Sequence, residues 1–144
     1  MSTIVLDDHL LGDVIGDTIP PHLARLMKRR EVATTNLYYV RLCKAAVSAR
    51  GGAITRHWDA IRREQAARSL LELPDAIQIL PMRDLAFRIA TLARDFRLST
   101  LGAEAVAAAE ALRAQVCVWE GDAGPRIRDA CAELRLRHHE IQRH

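Results

Sequence analysis

The chain has 144 residues and a mass of 16.1 kDa, which is enough for one domain with its own hydrophobic core. Hydrophobic residues make up 49% and charged residues 27%, so the composition excludes a disordered chain, and the apolar runs are too short to span a bilayer. The net charge of +3 is too small to identify a nucleic-acid-binding protein by itself. The sequence has no signal-peptide pattern, and we expect a cytoplasmic protein without membrane contact.

The first half of the chain alternates short apolar runs with amphipathic stretches. Residues 3–6 are mainly branched and apolar, which predicts a buried strand, and residues 7–15 have helical spacing that stops at Gly16. Further elements follow in chain order: a helix at 22–30, a strand at 32–34, and helices at 36–49 and 55–73. His57 and Trp58 lie among charged residues of the last helix, and our hypothesis is that they mark a dimer or partner groove.

The second half repeats the alternation. Its predicted elements are a strand at 77–80, helices at 83–97 and 100–113, a strand at 116–119, a helix at 125–136 and an edge strand at 138–142. His138 and His139 would point to opposite faces of that edge strand, so the pair is interpreted as strand residues and not as metal ligands. Cys43, Cys117 and Cys131 are widely separated, which indicates reduced thiols and not a disulfide or zinc framework.

Short apolar strands that alternate with helices are typical of an α/β fold. We therefore predict one domain over residues 1–144, with three α/β/α layers around a mostly parallel sheet of four or five strands. The two most apolar strands should be central, and both are followed by acids: Asp7 and Asp8 after the first, Glu120 and Asp122 after the other. Ligands bind at the carboxyl ends of such strands, so the sequence predicts an acidic cluster at that edge of the sheet.

The order of these elements and the residues at their ends resemble the PIN domain family, which includes the ribonuclease toxins of bacterial toxin-antitoxin modules. The resemblance covers nearly the whole chain. It is carried by four short stretches, Ile4-Val5-Leu6-Asp7, Ala33-Thr34-Thr35-Asn36, Leu98-Ser99-Thr100-Leu101-Gly102-Ala103 and Val116-Cys117-Val118-Trp119-Glu120.

The resemblance implies a metal-dependent nuclease in which about four acids hold Mg²⁺ or Mn²⁺, hard cations that prefer oxygen ligands. Asp7 and Glu120 match the first and last acid positions and would be the catalytic and metal-binding residues of an active enzyme, with Asp122 as a further candidate ligand. The second acid position is occupied by Arg41. The third is occupied by Gly102, with Glu104 displaced by two positions.

A guanidinium group at position 41 would take over the charge-balancing role of the metal, through a salt bridge to Asp7 or Glu120. We therefore expect no cofactor, and a degenerate PIN-like protein that binds RNA, or a protein partner such as a small antitoxin-like protein, without cleavage. The alternative is a toxin-type endoribonuclease that uses the remaining acids with Mg²⁺ or Mn²⁺. A third interpretation is structural: Asp7 or Asp8 merely caps the helix that follows the first strand.

Four basic residues are candidates for contact with nucleic acid: Arg41, Lys44, Lys28 and Arg29. For the last two, compensation of the helix dipole at the end of the 22–30 helix is the competing interpretation. The resemblance also implies a homodimer.

Overall fold

Five parallel strands form one sheet in the computed structural model, which describes residues 2–48, 58–122 and 124–143. The strands are β1 (Thr3–Leu6), β2 (Glu31–Thr34), β3 (Ile77–Ile79), β4 (Gln115–Trp119) and β5 (His138–Ile141). Their order across the sheet is β3-β2-β1-β4-β5, and every neighbouring pair is parallel. The predicted α/β sheet is therefore confirmed, with β1 at its centre and β5 at an edge.

The position of β1 follows from its composition. Its four residues are all buried, and Val5 lies between Ala33 of β2 and Val116 of β4 in the sheet register. A strand that is covered on both faces needs an apolar run and not an alternating pattern. The branched residues of β1 and β4 meet that requirement, which explains why the most apolar strands are interior.

Seven helices cover the two faces of the sheet within the described part of the chain. They are α1 (Asp8–Ile15), α2 (Pro21–Met27), α3 (Asn36–Val47), α4 (Ala60–Leu71), α5 (Met82–Phe96), α6 (Thr100–Leu112) and α7 (Pro125–Glu133). Right-handed crossovers place α1 to α4 on one face and α5 to α7 on the other, since the chain moves across the sheet in opposite directions before and after β3. The predicted three-layer arrangement is confirmed.

The core is divided by the sheet in the same way. Val5, Val116 and Val118 pack on one face against residues of α5, α6 and α7. Ile4 and Leu6, which alternate with Val5, pack on the other face with residues of α1 and α2. A third hydrophobic cluster lies between α1, α3 and α4.

Two sequence expectations need correction. The second helix ends at Met27, and Arg29 has a positive φ of 57°, so Lys28 and Arg29 lie in the turn before β2 and not within a helix. Trp58 is 5% exposed and packs against Gly16, so it is a core residue and not part of the hypothesised dimer or partner groove, whereas His57 lies outside the described residues. Asp59 caps α4, and residues 55–57 of the predicted helix lie outside the described residues.

The three cysteines are free thiols, with Cys117 and Cys131 buried. Burial raises the pKa of Cys117 to about 12 and that of Cys131 to about 11, which makes both thiols unreactive near neutral pH. No helix among the described residues combines the length and the apolar character needed to cross a membrane.

Candidate functional site at the carboxyl edge of the sheet

A cleft of about 310 Å³ opens at the carboxyl ends of β1 and β4. The connection after β1 leads to β2 on one side of it, and the connection after β4 leads to β5 on the opposite side. The crevice between β1 and β4 is therefore the topological switch point, where open α/β sheets bind ligands. Asp7 and Asp122 contribute acids to the cleft wall, and Arg41, Arg97 and Arg126 contribute cations. The cleft lies at the edge that the sequence predicts, but its charges are of both signs.

Asp7 is the N-cap of α1. One carboxylate oxygen accepts a hydrogen bond from the Leu10 amide and the other from the Trp119 amide, both at 2.8 Å. The side chain therefore caps α1, as the structural interpretation of this acid predicts, and in addition ties the end of β4 to the start of α1. Burial, opposed by these two hydrogen bonds, raises the pKa of Asp7 from 3.8 to about 7.

Arg41 forms an ion pair with Asp8, and not with Asp7 or Glu120 as the sequence predicts. The Arg41 Nε lies 3.2 Å from Asp8 Oδ2, and the Asp8 side chain is fully buried whereas that of Arg41 is 46% exposed. The two atoms are not aligned for a hydrogen bond, and Asp8 Oδ2 accepts none from the described residues. Burial raises the pKa of Asp8 and the nearby Arg41 opposes that rise, so the cation stabilises the charged carboxylate.

His9 is the next residue after Asp8 in α1, and it is buried. Its ring lies against the Trp119 indole with 4.4 Å between ring centroids, and its Nε2 lies 3.9 Å from Asp122 Oδ2. Burial lowers the pKa of His9, so the neutral ring is favoured. Asp8, His9 and Asp122 form the one group of three potential metal ligands found among residues 2–48, 58–122 and 124–143, with ligand atoms within 4.8 Å of one another. We refer to these three residues as the acid–histidine cluster.

Arg143 lies behind this cluster. Its guanidinium donates two hydrogen bonds of 2.8 Å to the buried carboxylate of Asp13 on α1. It also lies 5.5 Å from the centroid of the Trp119 ring and 3.2 Å from His9 Nδ1. Neither partner of this buried ion pair is a candidate in the sequence, since 130 residues separate them and only the fold brings them together.

Glu104 is fully buried and has a structural role. Its carboxylate accepts hydrogen bonds from the backbone amides of Asn36 and Leu37, at 3.0 and 2.9 Å, and from the Asn36 side chain at 2.7 Å. These are unpaired donors in the first turn of α3, where a carboxylate is favoured. Gly102, which occupies the third acid position of the resemblance, lies in the cleft wall with its amide donating to Ser99, the N-cap of α6.

The predicted metal ligands are Asp7, Glu120 and Asp122, and the structure does not bring these three together. Glu120 is exposed at the start of a short 3₁₀ turn and belongs to no potential metal group of the described residues. Both oxygens of Asp7 are occupied by backbone donors. Asp8 and His9 take their place beside Asp122, and Asp8 already has a cation as its partner. The donor set therefore does not match the all-carboxylate site that Mg²⁺ or Mn²⁺ requires in the resemblance.

The basic residues are separated into two groups. Arg41 lies in the cleft wall, and Lys44 follows three residues later on the same face of α3. Lys28 and Arg29 precede β2 and hence lie at the amino edge of the sheet, opposite to the cleft. Arg97 and Arg126 are further cleft residues, and no local pattern in the sequence marks them, because they follow α5 and begin α7, elements that become neighbours only in the fold.

Comparison of the chain with protein-family models and with curated proteins gave no match.

Proposed function

We propose that this protein binds single-stranded RNA at the cleft, with phosphate groups held by Arg41, Arg97 and Arg126, and that it does so without metal-dependent cleavage. The observation that carries this proposal is the ion pair between Arg41 and the buried Asp8. A fixed guanidinium group there balances the acids that a metal ion would otherwise balance, and its exposed part faces the cleft.

The surroundings of the cleft favour an anionic ligand. Three arginines face two acids there, and a carboxylate with a pKa of about 7 is only partly charged at neutral pH. In addition, α7 begins at the cleft with Gly124 as an N-cap that supplies no side-chain hydrogen bond. Pro125 has no N–H, and no side chain of the described residues caps this terminus, so the amides that follow Pro125 are suited to a phosphate oxygen.

The size of the cleft favours a single strand, because about 310 Å³ accommodates a nucleotide and not a double helix. Lys44 would extend the contact along α3 by one further phosphate. Guanidinium groups hold phosphates with two parallel hydrogen bonds, which gives orientation as well as affinity.

The proposal is tested by fluorescence anisotropy with a labelled single-stranded RNA oligomer in the presence of EDTA. The three arginine contacts predict that log K falls with log salt concentration with a slope of about −2, since each contact on a single strand contributes about −0.7, and a fourth contact by Lys44 would make the slope about −2.8. Arg126→Gln should weaken binding and reduce the slope by about 0.7. This substitution leaves the Arg41 ion pair in place, so a folding defect at Asp8 does not complicate the result.

Lys28→Gln is the matched control, because it removes one exposed positive charge from the opposite edge of the sheet. If RNA affinity falls equally in Lys28→Gln and Arg126→Gln, the RNA does not bind specifically at the cleft. Absence of binding at low salt would contradict the proposal, and capture of a protein by the same cleft would favour the partner-binding alternative.

A second candidate, a toxin-type endoribonuclease that depends on Mg²⁺ or Mn²⁺, would rest on the acid–histidine cluster, although a histidine and an arginine-paired aspartate fit these ions poorly. Metal-dependent RNA cleavage that is lost in Asp122→Asn would support it. Cleavage that is absent with either ion, while the RNA is bound, would support the metal-free proposal.

A further inference from the structure

The contacts of Arg143 define the protonation of one histidine nitrogen. Two nitrogens of the guanidinium, Nε and Nη2, each donate one hydrogen bond to Asp13, and the third, Nη1, lies 3.2 Å from His9 Nδ1. A guanidinium group has donors only, so His9 Nδ1 must act as the acceptor and carries no proton. The pair is buried, with 8% of the Arg143 side chain and 3% of the Asp13 side chain exposed, which holds this geometry in place.

A neutral imidazole has one proton, and here it must be on Nε2. This nitrogen faces Asp122, whose Oδ2 lies 3.9 Å away. The Trp119 indole covers one side of the ring and Arg143 covers the Trp119 ring in turn, so the imidazole is fixed by packing as well as by its contact with Arg143.

A metal-bound histidine has the opposite arrangement. One ring nitrogen binds the metal without a proton, and the other donates its proton to a carboxylate, carbonyl or water. In this chain the group next to Nδ1 is a donor, and a proton on Nδ1 would face the N–H of Arg143. The acid–histidine cluster therefore has the spacing of a metal site with the wrong tautomer for one.

We propose that Arg143 is a positioning residue that holds His9 in the Nε2-protonated tautomer and thereby keeps the acid–histidine cluster closed to divalent transition metals. Asp8 supports the inference, because its buried Oδ2 accepts no hydrogen bond from the described residues and has the Arg41 guanidinium, a positive charge that opposes a metal ion, as its ion-pair partner. The inference does not depend on RNA as the ligand of the cleft.

The tautomer of His9 is measured directly by long-range ¹H–¹⁵N NMR of the histidine rings at neutral pH, with the resonance assigned from a His9→Asn sample. The wild-type ring should carry its proton on Nε2. Proton density on Nδ1 in the wild-type protein would overturn the proposal without any further variant.

The metal consequence is tested by titration with Co²⁺ alone, monitored by absorbance. Arg143→Lys keeps a group that only donates, so it should behave like the wild type. The double variant Asp13→Asn with Arg143→Met removes the donor without leaving Asp13 charged and unpaired. In this variant the Nδ1-protonated tautomer should become populated and Co²⁺ should bind on the order of tenfold tighter or more, as expected for changes next to a metal-bound histidine.

Equal Co²⁺ affinity in the wild type, the lysine variant and the double variant would refute the role of Arg143. A merely structural effect would lower the stability of the double variant without changing the histidine tautomer. Because these measurements contain no RNA, their failure is distinct from failure of the proposed RNA binding.

Discussion

The buried carboxyl group of Asp7 should make the stability of this protein depend on pH. Its pKa is about 7 in the folded chain, against 3.8 for an exposed aspartate. One pKa unit corresponds to about 1.4 kcal/mol, so the difference amounts to about 4 kcal/mol. Between about pH 4 and pH 7 the folded chain binds this proton more tightly than the unfolded chain does. The contribution of Asp7 to stability is therefore greatest at low pH and is lost as the pH rises toward 7.

The effect is isolated by comparing the wild type with Asp7→Asn, since other titrating groups are common to both proteins. An asparagine can accept from the Leu10 amide, but its NH₂ group would face the Trp119 amide, which costs about 1–3 kcal/mol at any pH. The variant should therefore be less stable near pH 4. As the pH rises to about 8, the stability of the wild type relative to the variant should fall by about 4 kcal/mol.

Urea unfolding monitored by circular dichroism, at constant ionic strength from about pH 4 to 8, gives the two free energies of unfolding. If their difference changed by less than about 0.5 kcal/mol over this range, the Asp7 carboxyl would have an ordinary pKa and the reasoning from its burial would be refuted. A carbon NMR titration of the same carboxyl group provides an independent value.

Two further substitutions test the supports of the cleft. Glu104→Gln replaces one acceptor of the amides at the start of α3 by a donor that faces Asn36. The free energy of unfolding, measured in urea, should fall by about 1–3 kcal/mol. The control Glu133→Gln, on the exposed side of α7, should change it by less than about 0.5 kcal/mol. Equal effects would show that the buried carboxylate does not stabilise α3. Gly121→Ala places a methyl group against the Trp119 indole, so this ring must move, and we expect a loss of about 1–3 kcal/mol with a shift in tryptophan emission. Unchanged emission and stability would mean that the 3₁₀ turn moves instead.

The order and type of the elements were predictable because they depend on local patterns. The apolar run of β1 and the stop at Gly16 are both readable without the fold, and α6 begins after its Ser99 cap as predicted. Helix ends were less predictable. The basic residues after Met27 have good helical propensity, but the chain has to turn there in order to enter β2, and Arg29 adopts a positive φ.

The burial of Trp58 shows where a local pattern fails. Charged neighbours along the chain suggest an exposed position, yet the residue precedes the first turn of α4 and packs against Gly16 and the cluster that joins α1, α3 and α4. Its burial depends on three elements that are distant in sequence. The sequence around it contains no information about their packing.

The sequence by itself determined that acids would meet at the carboxyl edge of a parallel sheet, because the ends of apolar runs are local properties. Arg41 was placed beside them only by the resemblance to the PIN domain family. Tertiary structure alone decided which partners they have. Three pairings depend on angles and on distances of a few ångströms between separate elements: Arg41 with Asp8, Asp7 with the Trp119 amide, and Arg143 with Asp13. Electrostatic and hydrogen-bond energies change steeply over such distances, so the chemistry of this site was fixed by packing and not by the order of residues.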